Sequence, residues 1–410
     1  SIMALKNNTW KLNQWYDQDV AGNVKYNSPI AGELYSWGDN EHGVLGLNQG
    51  PSNNNRSSPT QIPGTTWSVL NTGGSENVTS IASKSDGTLW GWGNNQYGAL
   101  GLNSVIHEVS SPIQIGTDTN WSTLSDEDIY QDRIGVISVR WWTHVVKTDG
   151  TLWSWGYNGN GALGLNDNTQ YSSPTQVGSG TDWKMTATGR DMGVFGLKTD
   201  GTLWTWGPNG NGTLGLNQAP STKLSSPVQI PGTTWDGIVC QAQNVMAHKS
   251  DNTLWMWGHN GYGCLGLNQS PGNLGGVSSP IQVPGTNWRN AGATFADSAA
   301  AFRTDGTLWV WGRNEAGCLG LNSAGDSASV SSPTQIPGTT WVNMTPLRIQ
   351  NSVMVTKSDG TLWSWGGNGQ GQLGQNNRTY YSSPVQIPGT SWSNRIAGCG
   401  QGTAFAIKTS

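Results

Sequence analysis

The sequence predicts an all-β protein: a seven-bladed β-propeller of four-stranded antiparallel blades, with one blade completed by both termini. Three observations predict it. A Trp- and Gly-rich stretch recurs seven times in 410 residues, each copy carries its own hairpin and strand punctuation, and the two chain ends are complementary fragments of one copy. Recurrence at such a period is the mark of an array or a propeller.

The copies are "ELYSWGDNEHGVLGLN" from Glu33, "TLWGWGNNQYGALGLN" from Thr88, "TLWSWGYNGNGALGLN" from Thr151, "TLWTWGPNGNGTLGLN" from Thr202, "TLWMWGHNGYGCLGLN" from Thr253, "TLWVWGRNEAGCLGLN" from Thr307 and "TLWSWGGNGQGQLGQN" from Thr361. Ser-Ser-Pro follows each one, and then a further Trp: Trp67, Trp121, Trp183, Trp235, Trp288, Trp341 and Trp392. The second aromatic of each pair stands at 37, 92, 155, 206, 257, 311 and 365, so the spacing runs from 51 residues (155 to 206) to 63 (92 to 155).

Each unit supplies strands a to d in chain order. Strand a begins at the repeat Trp, and strand b is an apolar run such as Val194 to Leu197. Asp200-Gly201 joins b to c, and Asp-Gly between extended runs predicts a two-residue type I′ hairpin turn with positive φ at both centres. The turn recurs at Asp86, Asp149, Asp305 and Asp359, and as Asp251-Asn252. Strand c is Leu-Trp-x-Trp, whose two aromatics share one face and can wedge against the next blade. Strand d is Ser-Pro-x-Gln-Ile. No segment holds a 3.6-residue apolar period long enough for a helix. Seven four-stranded units cover their apolar faces when arranged radially, so the repeat tryptophans are expected in the core.

The ends carry the closure. Ala404 to Ser410 reproduces strand b and stops where Asp-Gly is due, whereas the first repeat opens at Ala31-Gly32-Glu33-Leu34-Tyr35, a strand c without its predecessor. Residues 31–410 are therefore read as the propeller and 1–30 as an N-terminal arm. A ring closed by both ends has no free sheet edge.

The motifs Asp-Gly, Trp-Gly-x-Asn and Gly-x-Leu-Gly, as in "DGTLWSWGYNGNGALG", resemble the regulator of chromosome condensation repeat family over residues 31–410. That resemblance implies a seven-bladed propeller, nucleotide exchange on a small GTPase and chromatin binding. Units of the family often carry Gly-x-x-His before the hairpin. Here the matching positions are Val78, Trp141, Met192, Gln243, Asp297, Asn351 and Gly402, so no role of that histidine carries over.

Composition narrows the function. Gly159-Asn160-Gly161-Ala162-Leu163-Gly164 spells a dinucleotide fingerprint, but turn residues follow where a helix is required, and four copies of the spelling mean architecture. A net charge of -4 with 11% charged residues and no basic tail argues against a nucleic-acid surface. Cys240, Cys264, Cys318 and Cys399 replace small core residues without metal-ligand spacing, so no metal or cofactor is expected. The five histidines fall at five different repeat positions beside no nucleophile, which argues against an enzyme. The basic residue before each turn (Lys84, Lys147, Lys198, Lys249, Arg303, Lys357, Lys408) recurs in all blades and reads as a packed stem with its head solvated or paired to the turn Asp. No signal peptide or membrane span is expected.

Function is expected where the units differ. The loops from c to d vary freely and carry Arg56, His107, Tyr171, Lys223, Arg378 and Tyr380. An insertion between Trp121 and Lys147 holds Asp126, Glu127, Asp128 and Asp132, then Trp141 and Trp142. Antiparallel alternation sets both kinds of loop on one rim, read as a partner-binding face. The arm brings Trp10, Trp15, Tyr16 and Tyr26, with no place in the ring, and aromatics of that number call for a partner. The arm and the Asn/Gly/Thr-rich composition resemble virion proteins of tailed bacteriophages. The expected function is a non-enzymatic binding or structural module, an assembly component of a phage particle, found in the virion or at an extracellular surface, with a protein partner such as a virion subunit or itself. The alternatives are a surface binder, either a lectin meeting a glycan or an enzyme inhibitor, and a cytoplasmic exchange factor.

Overall fold

The computed structural model describes residues 32–50, 54–73, 78–122, 137–189, 193–241, 243–269, 276–295, 297–347, 351–398 and 403–408. The acidic insertion residues Asp126, Glu127, Asp128 and Asp132, and the arm residues Trp10, Trp15, Tyr16 and Tyr26, lie outside them, as does Cys399.

One blade shows the plan. Strands Trp183–Thr188, Val194–Lys198, Leu203–Pro208 and Lys223–Ile230 form an antiparallel sheet in the order a-b-c-d, with Trp183 opposite Lys198 and Leu197 opposite Leu203. The strand a of each blade adjoins the strand a of the next all the way round, Arg56–Thr72 against Trp392–Gly398 included, so the a strands form the inner ring.

Both chain ends complete blade 1. Strand Gly32–Gly38 pairs with Ala404–Lys408, Leu34 facing Ile407 and Trp37 facing Ala404, and with Arg56–Thr72 on its other side. That 17-residue strand is strand d of blade 1 up to Ile62, and from Trp67, which faces Lys84, it is strand a of blade 2. Blades 1 and 2 therefore share one seven-stranded sheet, because Pro63-Gly64 bends the chain without breaking its pairing. In blade 3 the described part of strand a is in two pieces: Trp121 bridges Lys147, and Ile137–Val139 pairs with Val145 to Thr143.

The hairpin turns differ from expectation. Only the glycine (Gly87 φ 78, Gly150 φ 77, Gly201 φ 78) or Asn252 (φ 63) takes positive φ. Gly87 N–H donates to Lys84 O and Lys84 N–H to Thr88 O, which makes a three-residue loop with a Gly bulge in place of a type I′ turn. The cause is the aspartate. Asp86 Oδ1 accepts from both the N–H and the hydroxyl of Thr88, at 3.0 and 2.6 Å, and this local bond holds the turn.

The blades are joined by two circles of hydrogen bonds. The second Trp of strand c, fully buried in every blade, donates its indole N–H to a carbonyl in the preceding blade's c–d loop: Trp37 to Gln372, Trp92 to Val44, Trp155 to Ala99, Trp206 to Ala162, Trp257 to Thr213, Trp311 to Cys264 and Trp365 to Cys318, at 2.7 to 3.1 Å. The wedge thus points at the preceding blade, not the next, because that is where the loop carbonyl lies. The second circle runs from Asn48, Asn103, Asn166, Asn217, Asn268, Asn322 and Asn376, whose backbone N–H groups donate to Ser110, Ser172, Ser225, Ser278, Ser331, Ser382 and Ser57 of the following blade. These asparagines hold φ between 52° and 62°, a left-handed conformation that Asn tolerates well.

The dinucleotide-like spelling is explained by the same seam. A Cβ at Gly161 would lie 2.6 Å from Ser225 Cα of the next blade, and one at Gly164 would lie 2.8 Å from Trp206 Nε1. The glycines are there so that two blades can approach. Cys264 and Cys318 fill the small buried position beside this contact, and burial pushes both thiols up to about 12.

Gly101→Ala meets both left-handed strain (φ 70) and Trp155 Nε1 at 2.8 Å, and is expected to cost roughly 2–4 kcal/mol in a urea melt. Gly116→Ala (φ 62) meets no atom within 4 Å and should cost only about 1 kcal/mol. Equal losses would show that the seam is not tightly packed.

His144 occupies an apolar position of strand b, equivalent to Phe195 and Phe405, with its ring 5.7 Å from Trp206. Neither ring nitrogen reaches hydrogen-bonding geometry, and burial pushes its pKa down to about 3, outweighing the backbone of Ala162 and Leu163. The folded state therefore excludes the proton that the unfolded chain takes up near pH 6.5. Stability is complete above that pH and falls on acidification toward pH 3. Between pH 7 and 5 the loss from this residue is about 2 kcal/mol, and His144→Phe should remove it from the pH dependence of the melting curve. An unchanged acid limb would contradict this.

Candidate functional site

The second Trp of strand c and the Asn and Gly residues common to all blades serve the ring. On the face of the b–c turns, the basic residue before the turn lies over two aromatic rings in blades 2 to 7, and Lys408 of blade 1 lies over Trp392. Lys84 Nζ is 3.8 Å from the Trp90 centroid and 4.8 Å from Trp67, Lys249 is 4.5 and 4.6 Å from Trp255 and Trp235, and Arg303 is 3.9 and 4.8 Å from Trp309 and Trp288. The heads are thus neither simply solvated nor paired to the turn Asp, because the aspartate is taken by Thr, whose hydroxyl accepts in turn from the first Trp of strand c (Trp90 to Thr88, 2.8 Å). In blade 1, Tyr35 stands for that Trp and bonds Glu33 at 2.8 Å.

On the opposite face the invariant Asn of Trp-Gly-x-Asn is buried and ties down the c–d loop. Asn158 Oδ1 accepts from Leu163 N–H at 2.9 Å, and its Nδ2 donates to Asp167 O at 3.0 Å. The six other blades repeat the bond to the leucine.

The residues beside this asparagine vary, and the seams bring them together. At the seam of blades 1 and 2, His42 Nδ1 meets Glu108 Oε1 at 2.7 Å. At the seam of blades 5 and 6, His259 lies 3.3 Å from Asp297, and Arg313 covers Tyr262 at 4.7 Å while its Nε donates to Asp326 at 2.7 Å. The last pairing holds the Asp326 carboxyl below the usual carboxylate range. At the seam of blades 2 and 3 the cluster is aromatic. Tyr97 packs 6.0 Å from Trp141 and 5.3 Å from Tyr157, and Trp141 lies 5.9 Å from Tyr157, all three half-buried. The c–d loop that carries Tyr97 also exposes Val105 (52%) and Ile106 (66%).

The residues expected on the rim fare differently. Trp141 sits in the aromatic seam, but Trp142 is 2% exposed and belongs to the core: strand b starts there, and alternation sends its ring inward. Arg56 donates to Gln49 at 2.7 Å, and Tyr171 donates to Asp167 at 3.0 Å, a bond that raises its phenol pKa. His107, Lys223 and the pair Arg378 and Tyr380 are exposed where strand c leads into strand d in three different blades, 2, 4 and 7. Sequence reading missed Tyr97, because only the ring geometry joins it to the neighbouring blade. Among the described residues no three His, Cys, Asp or Glu side chains could hold a metal ion together, and no helix is long and apolar enough to cross a membrane.

Comparison with known proteins agrees with this architecture. A family model described as RCC1-like domain matches residues 33–406. The chain is 27% identical over 363 residues to the ultraviolet-B receptor UVR8 of Arabidopsis thaliana, covering 84% of this chain and 75% of that protein. It is 25% identical over 393 residues to the E3 ubiquitin-protein ligase HERC2 of Homo sapiens, covering 93% of this chain but only 8% of that protein's length. Its fold is similar to that of Prp20p from Saccharomyces cerevisiae, a structure described with binding properties to Gsp1p and histones, at TM-score 0.73 and 18% identity over 94% of this chain and 93% of that one.

Proposed function

The chain belongs to the RCC1-like domain family, and on that premise we propose that it is a non-enzymatic, protein-binding propeller that works as an assembly component of a phage particle, in the virion or at an extracellular surface. The observation that carries the binding role is the contrast between blades. The buried asparagine and the second Trp of strand c, common to all blades, hold the ring together, whereas aromatic groups gather at one seam, around Tyr97, Trp141 and Tyr157, and the c–d loop that carries Tyr97 also exposes Val105 and Ile106. Aromatic residues with partial exposure are the usual anchors of protein interfaces. That Prp20p binds proteins favours a protein partner for this fold as well. The finer role, in a particle, has its support in the sequence: four aromatics in residues 1–30 and internal copies that share one motif.

The test is association state. The intact chain should self-associate in sedimentation. Deleting residues 3–28, or changing Tyr97 and Trp141 together to Ala, should weaken that association while leaving the melting temperature within a few degrees, since half-exposed substitutions cost little stability. A chain that stays monomeric at high concentration, or loses stability with association unchanged, contradicts the assembly role. Accelerated nucleotide release from a small GTPase would point to the exchange-factor reading instead.

A further inference from the structure

The turn face holds a second kind of site, apparent when the seven basic residues are compared with one another. In blades 3 and 4 the connection from strand d to the next Trp is one residue longer ("QIGTDTNW" and "QVGSGTDW" against "QIPGTTW") and contains an aspartate. Those aspartates sit on the cation: Asp118 Oδ2 is 2.6 Å from Lys147 Nζ, and Asp182 Oδ1 is 3.2 Å from Lys198 Nζ. Lys84, Lys249, Arg303 and Lys357 occupy the same place in their blades. Among the described residues none of them forms a salt bridge with a carboxylate.

The spot where that carboxylate belongs can be located. In blade 4 a Cβ added at Gly180 would lie 3.1 Å from Asp182 Oδ1, 3.3 Å from Trp183 Nε1 and 3.9 Å from Lys198 Nζ. In blade 5 the matching point at Gly232 lies 3.6 Å from Trp235 Nε1 and 3.9 Å from Lys249 Nζ, and in blade 6 the point at Gly285 lies 3.6 Å from Trp288 Nε1 and 3.7 Å from Arg303 Nη2, with no acid beside either. Trp67, Trp235, Trp288 and Trp341 are each at most 3% exposed, and their indole N–H groups have no acceptor among the described residues; nor do those of Trp121 and Trp183, so the aspartates of blades 3 and 4 meet the cation and not the indole. At Gly232 and Gly285 an indole edge and a half-exposed cation thus border one small recess, and at Gly64 and Gly338 the same point lies 3.1 and 3.6 Å from the Trp67 and Trp341 indole nitrogens. The cation selects an anion there, as Lys147 and Lys198 do in blades 3 and 4.

The blades are also contiguous. Blades 5, 6 and 7 (Lys249, Arg303, Lys357) and blade 2 (Lys84) flank blade 1, whose Lys408 is a looser member, 5.9 Å from Trp392 and opposite Glu33 in the ladder. Blades 3 and 4, the self-filled pair, close the circle. The turn aspartates do not forbid an incoming carboxylate, since Asp118 binds Lys147 with Asp149 in the adjoining turn.

We propose that the clamps at Lys84, Lys249, Arg303 and Lys357 form a carboxylate-binding arc that docks an acidic segment of a protein partner, using the contact that Asp118 and Asp182 make within the chain. This surface is separate from the aromatic seam and does not depend on the assembly role.

The direct probe is a fluorescein-labelled ten-residue oligo-glutamate, with oligo-glutamine as control, followed by anisotropy at low salt. Oligo-glutamate should bind and oligo-glutamine should not. Changing the four cations to Met should weaken binding by about tenfold or more, whereas Lys147→Met with Lys198→Met should leave it unchanged. Acetylation footprinting of the unaltered chain gives a readout that does not depend on variants folding: the peptide should protect Lys84, Lys249 and Lys357 but not Lys198. Absence of binding, equal loss in both variants, or protection spread over all lysines would overturn the proposal.

Discussion

The structure depends on one contact made seven times: a buried indole N–H of one blade bonded to a loop carbonyl of the blade before it. A blade alone has two apolar faces and cannot bury either. The Trp of strand c solves both halves of that problem, since it fills the space between sheets and satisfies a backbone acceptor that the dry seam would otherwise strand. Much of the remaining repeat follows from it. The two glycines of Gly-x-x-Gly let the loop come close enough, the buried Asn fixes that loop, and the left-handed Asn after Gly-Leu sends a second bond to the following blade. Trp37 to Gln372 joins residues 335 apart in sequence, and with the pairing of the two chain ends in blade 1 it closes the array into a ring.

This division leaves the two faces with different freedoms. On the face of the c–d loops, residues beside the fixed asparagine are free to vary, and the seam sorts them into ionic, polar and aromatic groups. On the turn face the chemistry is uniform, a cation over two indoles in most blades, and the difference lies in whether the chain supplies its own carboxylate. A module of this kind can meet one partner by shape and apolar contact and another by charge, with the core untouched by either.

Much of this was legible in the sequence. Seven units, the a-to-d order, the shared blade and the core role of the tryptophans all follow from spacing and from the complementary ends, because these are local patterns multiplied by repetition. What escaped needed three dimensions. Asp-Gly suggested a type I′ turn, but the threonine two residues on captures the aspartate and holds the turn in another form. The lysines looked like solvated stems because nothing in the chain order sets Trp67 and Trp90 on either side of Lys84. Trp142 looked like half of an exposed pair with Trp141, yet strand alternation sends one ring in and the other to the seam. Tyr97 carried no signal at all, since its partners Trp141 and Tyr157 belong to the next blade.

The most direct measurement is hydrogen exchange of the individual indole N–H protons in the native protein. The account predicts that those of Trp37, Trp92, Trp155, Trp206, Trp257, Trp311 and Trp365 exchange most slowly and at one common rate, that of global opening, because no seam can open while the others hold. If Trp37 exchanged well ahead of Trp206, the ring would be opening at the blade built from both chain ends, and the claim that the seven seams form one closed, cooperative circle would be wrong.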